Sequence, residues 1–295
     1  MKKAIGIDLG GTRIKVVLTD EAGNLLHREY ADTCDDVDAV WKPKVAEIVT
    51  ALQQQLTGEP HAIGISAPGL PNKENTAIAY MPGRMPGLEN FVWRDLLGQP
   101  VAVLNDAVAA LIGEAKTGAA KNCNNAILVT LGTGVGGALL INGKPYQGSF
   151  NKAGHIGHMV VDETGEKDVT GMPGSLEECI GNCSISRRSK GRFESTRDLL
   201  TAYRQGDSFA ADIWLISVRR LALALASVSN FLSPDTIVIG GGIAESDNDL
   251  FDPLNKWFDE FEWQPGGIRP KIVKAMQGDM AGAIGVASFA LAQQQ

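Results

Sequence analysis

One pattern occurs twice in this chain, and it sets the fold class. IGIDLGGTRIKVVL, from Ile5, and ILVTLGTGVGGALL, from Ile127, both read as strand, glycine turn, strand. At one constant offset, Ile5, Leu9, Gly10, Val17 and Leu18 fall on Ile127, Leu131, Gly132, Leu139 and Leu140. A second turn follows in each copy, at Gly23-Asn24 and Asn142-Gly143. The repeat is domain-sized, which points to two similar lobes facing each other and excludes a solenoid of short units.

The rest of the chain fits that scheme. β-Branched runs bounded by turn residues predict strands at Lys3 to Asp8, Arg13 to Thr19 and Leu25 to Ala31, a meander hinged at Gly10 and Gly11. Helical spacing of Val37, Val40, Val45, Ile48, Val49 and Leu52 predicts a helix from Asp36 to Leu56, with Pro43 obscuring its start. Strands His61 to Ser66 and Val101 to Leu104 lead to a helix from Ala107 to Thr117. An irregular polar stretch from Gly143 to Pro173 precedes helices at Leu176 to Gly181, Thr196 to Arg204 and Ala210 to Phe231. A strand from Asp235 to Ile239, a helix from Leu250 to Phe261, a strand from Lys271 to Ala275 and a helix of small residues from Met280 to Ala292 close the chain. Alternating strands and helices with short links predict an α/β fold. The expected lobes are 1–112, with 280–295 packing back on them, and 113–279.

Composition narrows the partners. A net charge of −7 disfavours nucleic acid and anionic membranes, so a bound anion needs local groups to hold it. Four cysteines (Cys34, Cys123, Cys179 and Cys183) are too few for a disulfide framework, and no apolar run reaches the roughly 18 residues of a membrane span. The N-terminus does not read as a signal peptide. The expectation is a reduced, cytoplasmic protein.

The 34 glycines cluster at strand ends, in Asp8-Leu-Gly10-Gly11-Thr12, Leu131-Gly132-Thr133-Gly134 and Ile239-Gly240-Gly241-Gly242. Without a Cβ, such turns bring backbone N–H groups close to a phosphate, and the hydroxyls of Thr12 and Thr133 add donors. There is no GxxxxGK[ST], and no GxGxxG opens a helix after the first strand. Three turns, two of them related by the repeat, predict a nucleotide held between two lobes. Asn105-Asp106, at a strand end before a helix, reads either as N-cap chemistry or as a general base for phosphoryl transfer to a hydroxyl.

These motifs resemble the actin-like ATPase (ribonuclease H-like) fold, two lobes around a central cleft. DLGGT matches its first phosphate loop, LGTG its second and IGGG its adenosine motif. A narrower resemblance is to the ROK family of bacterial sugar kinases. LNDAVAA is similar to its ENDANAA-type segment, LGTGVGGALLINGKPYQG to its signature region and AGHIGHMVV to its GEIGH segment, in order from Lys3 to about Ile284. The resemblance implies an ATP- and Mg²⁺-dependent kinase acting on a hexose 6-hydroxyl, glucose by default, with Asp106 as base. It further implies sugar contacts from Asn90, Asn105, Asp106, His155, His158 and Glu177, with Trp93 as part of an NLPGW-type remnant. ATP and phosphate contacts would come from Asp8, Gly10, Gly11, Thr12, Lys15, Gly132, Thr133, Gly134, Gly240, Gly241 and Gly242, with Asp8 near Mg²⁺. A homodimer is implied as well.

Two positions depart from the family pattern. Many members bind zinc through the GH histidine and a CxCGxxGC segment. Here the cysteine positions are Asp168, Thr170 and Ser175, which do not replace thiolates, so no structural zinc is expected. A set from His155, His158, Cys179 and Cys183 has HxxH and CxxxC spacing, although the cysteines read better as small apolar packing on a helix. His155 stands where GEIGH has glutamate. Imidazole cannot act as a two-oxygen acceptor, so the substrate preference at the anomeric end is expected to change, and two imidazoles predict binding that weakens at acid pH. The family's repressors carry a helix-turn-helix ahead of the kinase-like body, for which the first strand at Lys3 leaves no room. The alternative function is a catalytically silent sugar- or nucleotide-binding sensor of the same fold.

Overall fold

The computed structural model describes residues 2–33 and 39–294. The meander is built from β1 (Lys3–Leu9), β2 (Arg13–Asp20) and β3 (Leu25–Asp32). Then come α1 (Trp41–Gln55), β4 (His61–Ala67), β5 (Leu70–Pro71), β6 (Ile78–Tyr80), α2 (Trp93–Leu97), β7 (Val101–Asn105) and α3 (Asp106–Thr117). The repeat returns as β8 (Ala126–Leu131) and β9 (Val135–Ile141), followed by β10 (Lys144–Tyr146). Short helices α4 (Leu176–Ile180) and α5 (Ile185–Arg188) precede α6 (Thr196–Arg204) and α7 (Ser208–Leu232). The chain ends with β11 (Thr236–Gly240), α8 (Asn248–Phe261), β12 (Lys271–Lys274) and α9 (Ala281–Gln293).

The helix expected from Asp36 begins at Trp41 among the described residues, and Asp36, Val37 and Cys34 lie outside them. Pro43 falls in its first turn, where a missing N–H costs nothing and the fixed φ suits the helix. α7 starts two residues earlier than its hydrophobic pattern suggests, because Asp207 caps it by accepting a hydrogen bond from the Ala210 N–H.

The two copies of the repeat give sheets of like topology. One runs β3-β2-β1-β4-β7, with β1 antiparallel to β2 and parallel to β4, and β4 parallel to β7. In the other, β9-β8-β11-β12 are neighbours, with β8 antiparallel to β9 and β11 parallel to both β8 and β12. The chain divides into two units, Met1–Asn122 with Lys144–Ala153 and Met276–Gln295, and Cys123–Gly143 with Gly154–Ala275. Among the described residues no helix is long and apolar enough to cross a membrane.

The first unit runs to Asn122, past the 112/113 division read from the sequence, and it also takes in Lys144–Ala153. Glu114, fully buried near the end of α3, explains the first difference. Its carboxylate accepts hydrogen bonds from the N–H groups of Ala119, Met276 and Gln277, which tie both ends of that unit together. A buried carboxylate is tolerated only when so satisfied. Asn151 donates from Nδ2 to the Pro71 and Asn72 carbonyls, and Gln147 donates to Asn75 Oδ1, which anchors the second stretch.

Each unit has its own core. Ile5, Ile7, Ile63, Ile65 and Trp41 lie at the centre of one; Ile127, Val129, Leu221, Leu225 and Phe258 at the centre of the other. Each such side chain contributes about 1.5–3 kcal/mol by leaving water. In the first unit α9 lies against β1, β4 and α3. Its sequence is nearly all Ala, Gly and small apolar residues because the packing is backbone to backbone. A Cβ at Gly6 would overlap the Ala283 carbonyl, and one at Gly285 would overlap the Ala109 carbonyl. Gly285→Val is therefore expected to lower unfolding free energy by about 1–3 kcal/mol or more, the range for overpacked cores. Urea denaturation measures it, and an unchanged midpoint would contradict this packing.

Candidate active site

In the first unit the site grows from the end of β1. Asp8 and Lys15 face each other across the β1–β2 ladder. Asp8 is 8% exposed, and both its oxygens are engaged: Ser66 Oγ donates to Oδ1 at 2.8 Å and Lys15 Nζ to Oδ2 at 2.9 Å. A Cβ at Gly282 would stand 2.9 Å from the Asp8 carboxyl, so glycine is what lets the start of α9 approach it. Burial opposes the Lys15 charge, but attraction to Asp8 and the hydrogen bond outweigh it, and the Lys15 pKa is raised. Gly10 and Thr12 are held in their turn: Gly10 N–H donates to the Arg13 carbonyl, Thr33 Oγ1 donates to the Gly10 carbonyl and Thr33 N–H to the Thr12 carbonyl. Gly11 is half-buried, and the Thr12 side chain is exposed.

At the junction of β7 and α3 one of the two readings that the sequence left open, N-cap chemistry, falls to Asn105. The N-cap is Asn105: its Oδ1 accepts from the N–H groups of Ala107 (3.0 Å) and Val108 (3.3 Å), and its Nδ2 donates to the Gly69 carbonyl. Asp106 is thus the first helical residue, and its carboxylate is not needed as the cap, although Oδ1 accepts from the Ala107 N–H at 2.8 Å. Asp106 is exposed to solvent on one side, with protein packed closely around the rest of its carboxyl. Desolvation, reinforced by repulsion from Asp8, pushes its pKa up to about 6, against the Ala107 hydrogen bond and the attraction of Arg84.

Asn90 is exposed, in a left-handed turn whose N–H donates to the Ile78 carbonyl. Trp93 corrects the sequence reading. It is completely buried in the core against Trp41 and Phe91 and lines no surface.

In the second unit the Gly132–Gly134 turn is braced from behind. The N–H groups of Asn182 and Cys183 donate to the carbonyls of Gly132 and Thr133, and Gly132 N–H donates to the Gly134 carbonyl. Glu177, on α4, accepts from the Val135 N–H at 2.9 Å, and a Cβ at Gly134 would overlap its carboxylate. Gly134 is thus required by the position of Glu177. At the end of β11, Gly241 has φ +87° and no room for a Cβ against Leu131, which seats the Gly240–Gly242 turn beside the preceding loop. Gly132, Thr133, Gly242 and Ile243 line a cavity of about 800 Å³ together with Arg197 and Glu245. Two of the three glycine turns therefore open onto one space within the size range of small-ligand pockets. Ser195 and Arg197, at the start of α6, were missed in the sequence. Ser195 reads there as an ordinary N-cap, which it also is, accepting from the Asp198 N–H.

His155 is half-buried, one residue ahead of the 3₁₀ turn Ile156–His158. His158 Nδ1 lies 3.3 Å from Asp168 Oδ2. Backbone hydrogen bonds from Leu176 to Met159 and from Val161 to Gly174 place the segment after His158 beside the one leading to Glu177. The cysteine positions of the zinc pattern, Asp168, Thr170 and Ser175, do converge, but as hydrogen-bond partners. Thr170 Oγ1 and the N–H groups of Thr170 and Met172 all donate to Asp168 Oδ1. These residues do not fit zinc, because one imidazole and one saturated carboxylate supply too few ligands. Among the described residues no group of three or more His, Cys, Asp or Glu is placed to hold a metal. Cys179 is buried on α4, whereas Cys183 lies beyond the helix and is exposed.

The model of the ROK family matches residues 4–294. The chain belongs to the ROK family. A glucokinase from Streptomyces coelicolor is 29% identical over 98% of both chains. Among solved structures, a ROK hexokinase from Thermus thermophilus superposes with TM-score 0.88 at 26% identity, covering 99% of both chains. A ROK-family glucokinase from Streptomyces griseus, in complex with glucose and AMPPNP, gives 0.76 at 28% identity, covering 99% of this chain and 100% of that one. The fold is the actin-like ATPase fold of these proteins.

The Asp106 environment is directly testable. Carboxyl ¹³C titration is expected to place its midpoint near 6 rather than at the ordinary 3.8. Asp8→Asn is expected to lower that midpoint by removing the repulsion. A midpoint near the ordinary value in the unaltered protein would contradict this electrostatic picture.

Proposed function

We propose that this ATP-dependent sugar kinase transfers the γ-phosphoryl group of ATP to the 6-hydroxyl of a hexose, glucose by default, with Asp106 as general base. The observation that carries the reading is Asp106 itself. It is a carboxylate released from capping by Asn105, held at the start of α3 and tuned to about 6, so that it is ionised at neutral pH yet basic enough to take a proton.

In the step, the hydroxyl oxygen attacks the γ-phosphorus, the bond to the β-phosphate bridging oxygen breaks, and the hydroxyl proton passes to Asp106. ADP and a sugar phosphate monoester leave, and Asp106 gives its proton to solvent. Little covalent work falls to the protein, so positioning and charge neutralisation dominate. The backbone N–H groups of Gly11 and Thr12 and of Thr133 and Gly134 suit phosphate oxygens, in turns that the Gly10 and Gly132 N–H groups close. Lys15 supplies a fixed positive charge, and the cavity beside Gly240, Gly241 and Gly242 suits the adenosine. Asp8 has acceptor capacity left beyond its two hydrogen bonds and would hold the Mg²⁺ that accompanies ATP. That ion, when bound, neutralises charge on the β- and γ-phosphates. Asn90, Asn105, His155, His158 and Glu177 are assigned to the sugar hydroxyls.

Asp106→Asn keeps the size and the Ala107 hydrogen bond but removes the base. Turnover is expected to fall about 10²–10⁴-fold, with sugar affinity changed little, as read by steady-state kinetics and calorimetry. Retained turnover would sink the assignment. His155→Glu restores a two-oxygen acceptor and is expected to raise kcat/KM for glucose about tenfold relative to an N-acetylhexosamine, the worth of one hydrogen bond. An unchanged ratio would show that His155 does not read the sugar.

A further inference from the structure

The loop between His158 and α4 is organised around one buried carboxylate. The Asp168 side chain has no solvent exposure, whereas His158 is about two-fifths exposed. Asp168 Oδ1 accepts from Thr170 Oγ1 at 2.6 Å, from Thr170 N–H at 2.8 Å and from Met172 N–H at 3.0 Å, and Oδ2 faces His158 Nδ1 at 3.3 Å. Ser175 Oγ also bonds to this carboxyl. The same Ser175 oxygen caps α4 by accepting from the Glu178 N–H, so the node reaches the helix that carries Glu177. A second tie, the ion pair between Arg220 on α7 and Asp162, pins the start of the loop. Burial alone would push the Asp168 carboxyl up. The hydrogen bonds from Thr170, Ser175 and Met172 outweigh it and hold the group well below the usual carboxylate range.

An ionised carboxylate only accepts hydrogen bonds, so the imidazole nitrogen facing it must donate. Neutral histidine has one N–H, and placing it on Nδ1 leaves Nε2 with a lone pair. We propose that Asp168 is a positioning residue that, without a metal, clamps His158 as the Nδ1–H tautomer and so presents Nε2 as an acceptor for a sugar hydroxyl. The carboxylate draws Thr170, Ser175 and His158 together at the positions where the family's zinc pattern places its ligands. Carboxylates that orient a metal-bound histidine change affinity or activity about 10–100-fold when altered, and an effect of that size is expected here on sugar binding. The proposal rests on the reading of His158 as a sugar contact.

Asp168→Asn separates the roles of the two oxygens. The amide oxygen keeps the Thr170 and Met172 bonds, while the amide nitrogen now donates toward His158 and forces the ring proton to Nε2. Imidazole ¹⁵N shifts of His158, read without any substrate, should show Nδ1 protonated in the unaltered protein and Nε2 protonated in Asp168→Asn. The sugar KM should rise about 10–100-fold with little change in the KM for ATP. In a His158→Ala background, Asp168→Asn should add no further KM loss, since both act through one ring. Thr170→Ala, as a control, should lower thermal stability without moving the tautomer or the KM. An Nε2–H tautomer in the unaltered protein overturns the proposal, and this readout stands even if Asp168→Asn fails to fold. One equivalent of zinc per purified chain also overturns it. Correct tautomers with an unchanged sugar KM overturn the link to substrate, while turnover of the unaltered protein independently tests the kinase reading.

Discussion

The Asp8 carboxylate is the constraint around which the first unit is arranged. A buried charge is costly unless it is paired and hydrogen-bonded, and Lys15 and Ser66 meet that need from β2 and β4. Both partners stand on strands that pair with β1, so the ladder register that builds the sheet also builds the charge site. The same carboxylate leaves space only for glycine at position 282, which fixes where α9 starts. It also repels Asp106, adding to the desolvation that holds that group's proton affinity near neutrality. One side chain thus couples sheet, helix and base.

The second unit uses the same strand–turn–strand device for a different end. Its first glycine turn is braced by the Asn182 and Cys183 amides and by Glu177, and its β11 turn lies directly against Leu131. The result is a braced rim to the cavity, in which these bonds hold the turn backbone, and with it the Thr133 and Gly134 N–H groups, in place. Preorganised donors of this kind cost no reorganisation when charge develops.

What the sequence conveyed well was whatever rests on backbone need. The repeat, the glycine turns and the small-residue final helix are legible because no other residue type satisfies close approach. The helix boundary near Asp36 and the division near residue 112 were less legible, since they depend on Pro43 sitting in a first turn and on Glu114 bonding to residues more than 160 positions away. Trp93 was misread because a short aromatic motif looks the same whether it faces ligand or core, and only its partners Trp41 and Phe91 decide. Ser195 and Arg197 gave no signal, because a capped helix start has many uses. The loss of the cysteines was plain in the sequence. That a carboxylate had taken over their organising role was not, because it depends on three-dimensional convergence of Asp168 with Thr170, Ser175 and His158.

The central claim is phosphoryl transfer from ATP to a sugar hydroxyl, and the most direct measurement is ADP formation with Mg²⁺-ATP across hexoses, hexosamines, N-acetylhexosamines and sugar acids, with the product read by ³¹P NMR. The account predicts ADP release that depends on one or a few of these sugars and yields a phosphate monoester on the C6 oxygen. ADP release at one slow rate with or without every sugar, from a chain that still binds ATP, would contradict it.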